Sequence, residues 1–263
     1  MNMEKSTHKL PFYADTSEKI DKVVAALWAV DIAGLDTEFT GVEVGKQSCA
    51  ARAKVHIWSV AIPKKKITPR GVRESEAAVL PSWALQYAPM KAWLESDAKK
   101  AVHNLPVDYH AINSGLVCLN GGINTLSLAR WAWPDRARGA GFSLDSLGMD
   151  ILGEGKISSF SEIFKETYMD YIIRTKRITY CECGAVPCRK RITTPGHRRF
   201  ERIEETKIEK PSEREIPLDS VVPGHQKWPE ALTYAAQDAI LALGVYDAAT
   251  RVLDSTTRDI PWL

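Results

Sequence analysis

The 263-residue sequence contains no apolar run long enough to cross a bilayer, and its start, MNMEKSTHKL, lacks the apolar core of a secretory signal. A cytoplasmic protein with no membrane partner is therefore the expectation. Cysteine is scarce: five residues, an odd number, with three crowded between positions 181 and 188. That pattern argues against a disulfide framework and for a metal site in a reducing compartment. Charge of either sign is not in excess, since a formal net charge of +2 is too small to identify a partner. No repeat of about 20 to 50 residues is visible, which excludes a solenoid or propeller. What the chain does have is 44% hydrophobic content, ample for the core of one large domain or of a domain with an appendage.

Local patterning places strands early and helices late. PFYADTSEKIDKVVAALWAV reads as a short strand and then a helix, with Ser17 as the expected N-cap and Ile20, Val23, Val24 and Leu27 at helical spacing. A second strand carries LDTEFTG, and AKVHIWSVAI (53–62) alternates as a third, followed by a basic turn, PKKKITPRG. Residues 89–97 suggest a helix, and KKAVHN a brief strand entering a helix near Pro106. NTLSLARWAW and FSLDSLGMDILG carry helical spacing, the second stopping at Gly153. A last helix starts at Trp228. This order favours an α/β or α+β sheet flanked by helices.

Residues 165–227 differ. Apolar periodicity fades, charges alternate, and prolines at 187, 195, 211, 217 and 223 are expected to break any long element. The stretch reads as an inserted arm. Cys181, Cys183, Cys188 and His197 form C-x-C-x4-C-x8-H, a set suited to tetrahedral Zn2+. Structural zinc and reduced cysteines in a loop both remain open. The lysines and arginines around them favour binding of nucleic-acid phosphates over the alternative of a solvated charged loop, which the interleaved glutamates suit.

The chemistry lies in three separated segments. In a strand, Asp36 and Glu38 share a face. In the last helix, Tyr234 and Asp238 stand one turn apart. HNLPVDYHAI adds Asn104 and Asp108 at the same spacing. Four carboxylates make a hard-oxygen donor set for Mg2+ or Mn2+. Taken singly, each piece is ordinary: a D-x-E is most often surface acid, an asparagine before a helix is commonly its cap, and His103 and His110 fit hydrogen-bonded histidines better than ligands.

The ordered set resembles the proofreading-type (DEDDy) 3′–5′ exonuclease superfamily, in its tyrosine-containing branch, and is most similar to the exonuclease domains of family A DNA polymerases. LDTEFTG, VHNLPVDYHAI and YAAQDAILALGVYDA carry the resemblance, with NTLSLARWAWP and FSLDSLGMDILG in secondary agreement. It covers roughly residues 10–160 and 228–253, giving an exonuclease domain over 10–253 with the arm (165–227) inserted. The resemblance implies an RNase H-like α/β fold, a mixed central sheet flanked by helices. It also implies two Mg2+ or Mn2+ ions held by Asp36, Glu38, Asp108 and Asp238. Tyr234 would orient the attacking water, and Asn104, Thr37 and Phe39 would contact the terminal nucleotide. The product would be a nucleoside 5′-monophosphate from a 3′ end, with DNA favoured over RNA as the partner. With about ten residues after the third motif, a stand-alone enzyme or a separately encoded proofreading subunit working beside a polymerase or another replication protein is expected. Two alternatives stay open: an RNase D-like exoribonuclease, and a non-catalytic nucleic-acid-binding or partner-recruiting module. Asn124 departs from the family, which often has aspartate before the threonine.

Overall fold

The computed structural model describes residues 12–44, 47–153, 155, 165–181, 199–215 and 222–258. The chain divides into two units, one of Met1–Phe164 with Pro217–Leu263, the other Lys165–Ile216.

In the larger unit, α1 (Ser17–Trp28) follows a single bridge between Tyr13 and Val79, which is what the described residues show of the expected first strand. Thr16, rather than Ser17, is the N-cap; its hydroxyl accepts from the Lys19 N–H. Three strands follow, β1 (Ile32–Val44), β2 (Gln47–Ile67) and β3 (Arg73–Pro81), then α2 (Ala88–Leu94), β4 (Lys99–Val102), α3 (Leu105–Ser114), β5 (Gly122–Asn124) and α4 (Thr125–Ala132). FSLDSLGMDILG, expected as one helix, is a single helical turn, α5 (Leu144–Leu147), continued by a π-turn (Gly148–Leu152). Gly153 stops it in the left-handed conformation, at φ 77°. The last helix, α6 (Trp228–Arg258), has 31 residues and is about 46 Å long. No described helix is long and apolar enough to cross a membrane.

The sheet order is β3-β2-β1-β4-β5, antiparallel through β1, β2 and β3 and parallel from β1 through β4 to β5. It is a mixed sheet with β1 at its centre. Strand alternation sorts β1 in two: Ala33 and Leu35 join the core beneath α1, α2 and α3, whereas Ile32 joins the core beneath α6. That second core is built largely of alanines on the helix, Ala235, Ala236 and Ala239, which let helix and sheet backbones approach closely. A third cluster, Ala129, Leu144, Leu147, Leu241 and Val245, seats α4 and α5 against α6.

Two polar devices lock these layers. Arg73 on β3 donates to both carboxylate oxygens of Asp247 on α6 at 2.7–3.2 Å, and to Asp31 at 2.8 Å. Those bonds hold the guanidinium charged well above its ordinary range. Lys100 on β4 is fully buried, donates to the carbonyls of Ser96, Ala98 and Asn120 at 2.7–3.0 Å, and lies 4.6 Å from the Trp93 ring centre. Burial pushes its ammonium pKa down to about 8, against the opposing charge of Asp97.

The smaller unit is an antiparallel ribbon of β6 (Lys165–Cys181) and β7 (Arg199–Glu215), paired continuously from Lys165↔Glu215 to Cys181↔Arg199. The expectation that proline would break this region is corrected at Pro211, which sits opposite Met169 inside the ladder. In a two-stranded ribbon every strand is an edge, so a missing N–H can face outward at no cost in pairing.

Candidate active site

Asp36 and Glu38 project from the α6 face of β1, the face that Ile32 and Gly34 also share. Immediately beyond Glu38 the ladder slips: Glu38 faces Ile57 but Phe39 faces Val55, leaving His56 as the extra residue of a bulge. Such a bulge sharpens the strand's twist where the acids leave it. The His56 ring nitrogen lies 2.8 Å from the Thr40 hydroxyl.

From the other side, α6 brings Asp238 (5% exposed) and, one turn earlier, Tyr234 (8% exposed). Two contacts fix the helix there. A β-carbon on Gly34 would overlap the carbonyl of Ala239, the residue after Asp238, so only glycine admits the helix at this depth. The fully buried Ser59, paired with Asp36 across the sheet, donates its hydroxyl to the Ala235 carbonyl at 2.6 Å.

As a result, carboxylate oxygens of Asp36, Glu38 and Asp238 lie within 4.8 Å of one another. Three carboxylates so close repel unless a cation joins them, and an all-oxygen donor set suits Mg2+ or Mn2+. The residues fit a divalent ion. Asp108, from α3, is not one of this trio, although the charge of Asp238 acts on it. It is 5% exposed and accepts from the Thr37 N–H at 3.1 Å and the Thr37 hydroxyl at 2.7 Å. Burial raises its carboxyl above the usual carboxylate range and the charge of Asp238 adds to this, while the two Thr37 bonds pull it back.

An open groove of about 480 Å3 is lined by Asp36 and Asp238 together with His103, Asn104, Leu126, Phe142 and Leu144. Arg130 is the one arginine or lysine among the described lining residues, and its guanidinium is 5.9 Å from the Phe142 ring centre. His103 is braced rather than free to ligate: Nδ1 is 3.1 Å from the Thr125 hydroxyl and Nε2 is 3.1 Å from the Phe142 carbonyl. A carbonyl only accepts, so Nε2 carries the proton. Asn104 precedes α3 in the left-handed conformation (φ 59°, ψ 48°) and makes no side-chain cap bond; it lines the groove instead.

The structure thus gathers Asp36, Glu38 and Asp238, with Tyr234 adjacent on the helix and Asn104 along the groove. Thr37 and Phe39 are not among the groove's lining residues, since Thr37 is bonded to Asp108 and Phe39 packs against the core on the opposite face of the sheet. Sequence reasoning missed Gly34, Ser59 and Arg130. A glycine inside a strand just before D-x-E is a signal of close backbone approach, whereas nothing local marks the other two. The thiol and imidazole set of the arm (Cys183, Cys188 and His197, with the side chain of Cys181) lies outside the described residues.

No family model and no curated protein sequence matches the chain. Solved structures do. Trypanosoma brucei RNase D is 14% identical with a TM-score of 0.53, over 94% of this chain and 70% of that one. The EXO domain of Aedes aegypti Nibbler is 13% identical with a TM-score of 0.51, over 93% and 88%. The catalytic core of Trypanosoma brucei RRP6 is 13% identical with a TM-score of 0.51, over 93% of this chain and 47% of that one, so the chain spans about half its length. The chain has the RNase H-like fold shared by DEDDy-type exonuclease domains.

Proposed function

We propose that the chain is a metal-dependent 3′–5′ exonuclease that removes nucleoside 5′-monophosphates from single-stranded 3′ ends. The observation that carries this reading is the convergence of Asp36, Glu38 and Asp238 within 4.8 Å, two of which, Asp36 and Asp238, line an open groove of about 480 Å3. The fold supports it as context.

Asp36, Glu38 and Asp238 would hold the cations, with Asp108, on which the charge of Asp238 acts, as a further carboxyl beside them. Divalent ions bound there supply neutralisation of the phosphodiester and a more acidic water. The remaining steps belong to side chains. Tyr234 orients a water whose oxygen bonds to phosphorus as the bond to the 3′ oxygen of the preceding nucleotide breaks, that oxygen leaving with a proton. Asn104 and the apolar residues Leu126, Phe142 and Leu144 line the space for the terminal nucleoside, and water is displaced from around them.

RNA is the second reading of the substrate. It is favoured by the likeness to RNase D, described as an exoribonuclease in the Escherichia coli case, whereas the motifs' resemblance to the exonuclease domains of family A DNA polymerases favours DNA. The test is incubation with 3′- and 5′-labelled DNA and RNA strands in Mg2+, Mn2+ or EDTA. Mononucleotides from the 3′ end only in the presence of metal support the proposal, and the strand shortened faster names the substrate. Intact strands of both kinds in Mn2+ would overturn it.

A further inference from the structure

The ribbon of β6 and β7 is 17 residues long on each strand, about 55 Å, and exposes both described stretches of side chains. A two-stranded ribbon is marginal in water by itself, and Ile173 and Ile203 are 63% and 59% exposed. Its two faces differ in chemistry. Arg174 and Lys176, both exposed, share one face, opposite Thr206 and Glu204. Strand alternation continues that face through Ile178 opposite Arg202 and Tyr180 opposite Phe200. Over the whole ribbon this face holds five lysine or arginine positions against three acidic ones, and three of the four aromatic positions. The opposite face holds four basic positions against five glutamates, and one aromatic.

We propose that the face of Arg174, Lys176 and Arg202 is a binding surface for single-stranded nucleic acid. Cations spaced along a strand neutralise successive phosphates, and interleaved aromatic rings offer stacking platforms for unpaired bases; a duplex would leave those rings unused. The choice of a polynucleotide as the ligand rests on the exonuclease reading of the carboxylate site.

Two double variants carry the same change in net charge and differ only in the face they alter: Arg174→Thr with Lys176→Thr, and Arg177→Thr with Lys207→Thr. Threonine keeps strand propensity. Binding of labelled 20-nucleotide DNA and RNA single strands is read by anisotropy in EDTA, where no turnover occurs, over a range of salt. The first pair should weaken binding about tenfold and lower the slope of log K against log salt by about 1.4, the value for two lost single-strand phosphate contacts. The second pair should change affinity less than about twofold. Equal losses from both pairs, no loss from either, or no binding by the wild-type chain would overturn the proposal. If a threonine pair fails to fold by circular dichroism, the corresponding glutamine pair replaces it. A wild type that binds face-specifically yet shortens no strand in Mn2+ would remove the active-site reading alone.

Discussion

Gly34 and Ala239 touch backbone to backbone: the strand has no β-carbon where the helix carbonyl passes, and a methyl group there would overlap that oxygen. This contact sets how far Asp238 reaches toward Asp36. Gly34→Ala should therefore push α6 off the sheet, costing about 1–3 kcal/mol by overpacking and lowering kcat about a hundredfold, the scale of a 1 Å misplacement. Urea unfolding and single-turnover cleavage of a labelled strand check both, and near-normal activity would mean that the helix is positioned otherwise.

Ser59 ties the same helix one residue past Tyr234. Removing its hydroxyl in Ser59→Ala should cost about 1 kcal/mol, since the Ala235 carbonyl loses an added donor in a buried setting. Denaturant midpoints measure this. A variant as stable as the wild type would show that the bond contributes nothing net.

Thr37→Val and Thr37→Ser separate the two bonds to Asp108. Valine keeps the N–H but removes the hydroxyl, leaving a buried carboxyl with one donor fewer; the loss should be about 1–3 kcal/mol. Serine keeps both donors and should recover most of it. Equal losses from both variants would point to the methyl group instead.

How much of this was legible in the sequence follows the range of each interaction. The D-x-E on one strand face and the Tyr234–Asp238 turn are local periodicities, and the structure has them as read. Thr16 in place of Ser17 as the cap is an ambiguity of one position between adjacent residues of equal capping chemistry. The ribbon was hidden because its strands are rich in charged rather than apolar residues, so the stretch reads as an inserted basic arm and not as a pair of strands. Gly34, Ser59 and Arg130 gain their meaning from residues 12 to 205 positions away in the chain, or from a groove wall, and no local pattern encodes that. Asn104 was expected as either a cap or a substrate contact; its left-handed backbone and uncapped side chain leave it facing the groove.

Asp247 anchors the far half of α6 through Arg73. Asp247→Ala strips a half-buried guanidinium of its two-oxygen partner, leaving only the more exposed Asp31. The expected loss is about 3 kcal/mol. Melting temperature reports it, and Asp31→Ala should cost far less because that pair is open to solvent.

The account depends on Asp36, Glu38 and Asp238 acting together as the seat of a divalent cation, and Mn2+ titration followed by electron paramagnetic resonance reads that without requiring turnover. Wild-type protein should take up Mn2+, and Asp36→Asn or Asp238→Asn should weaken uptake at least about tenfold while both variants stay folded. Uptake unchanged by either substitution would contradict it.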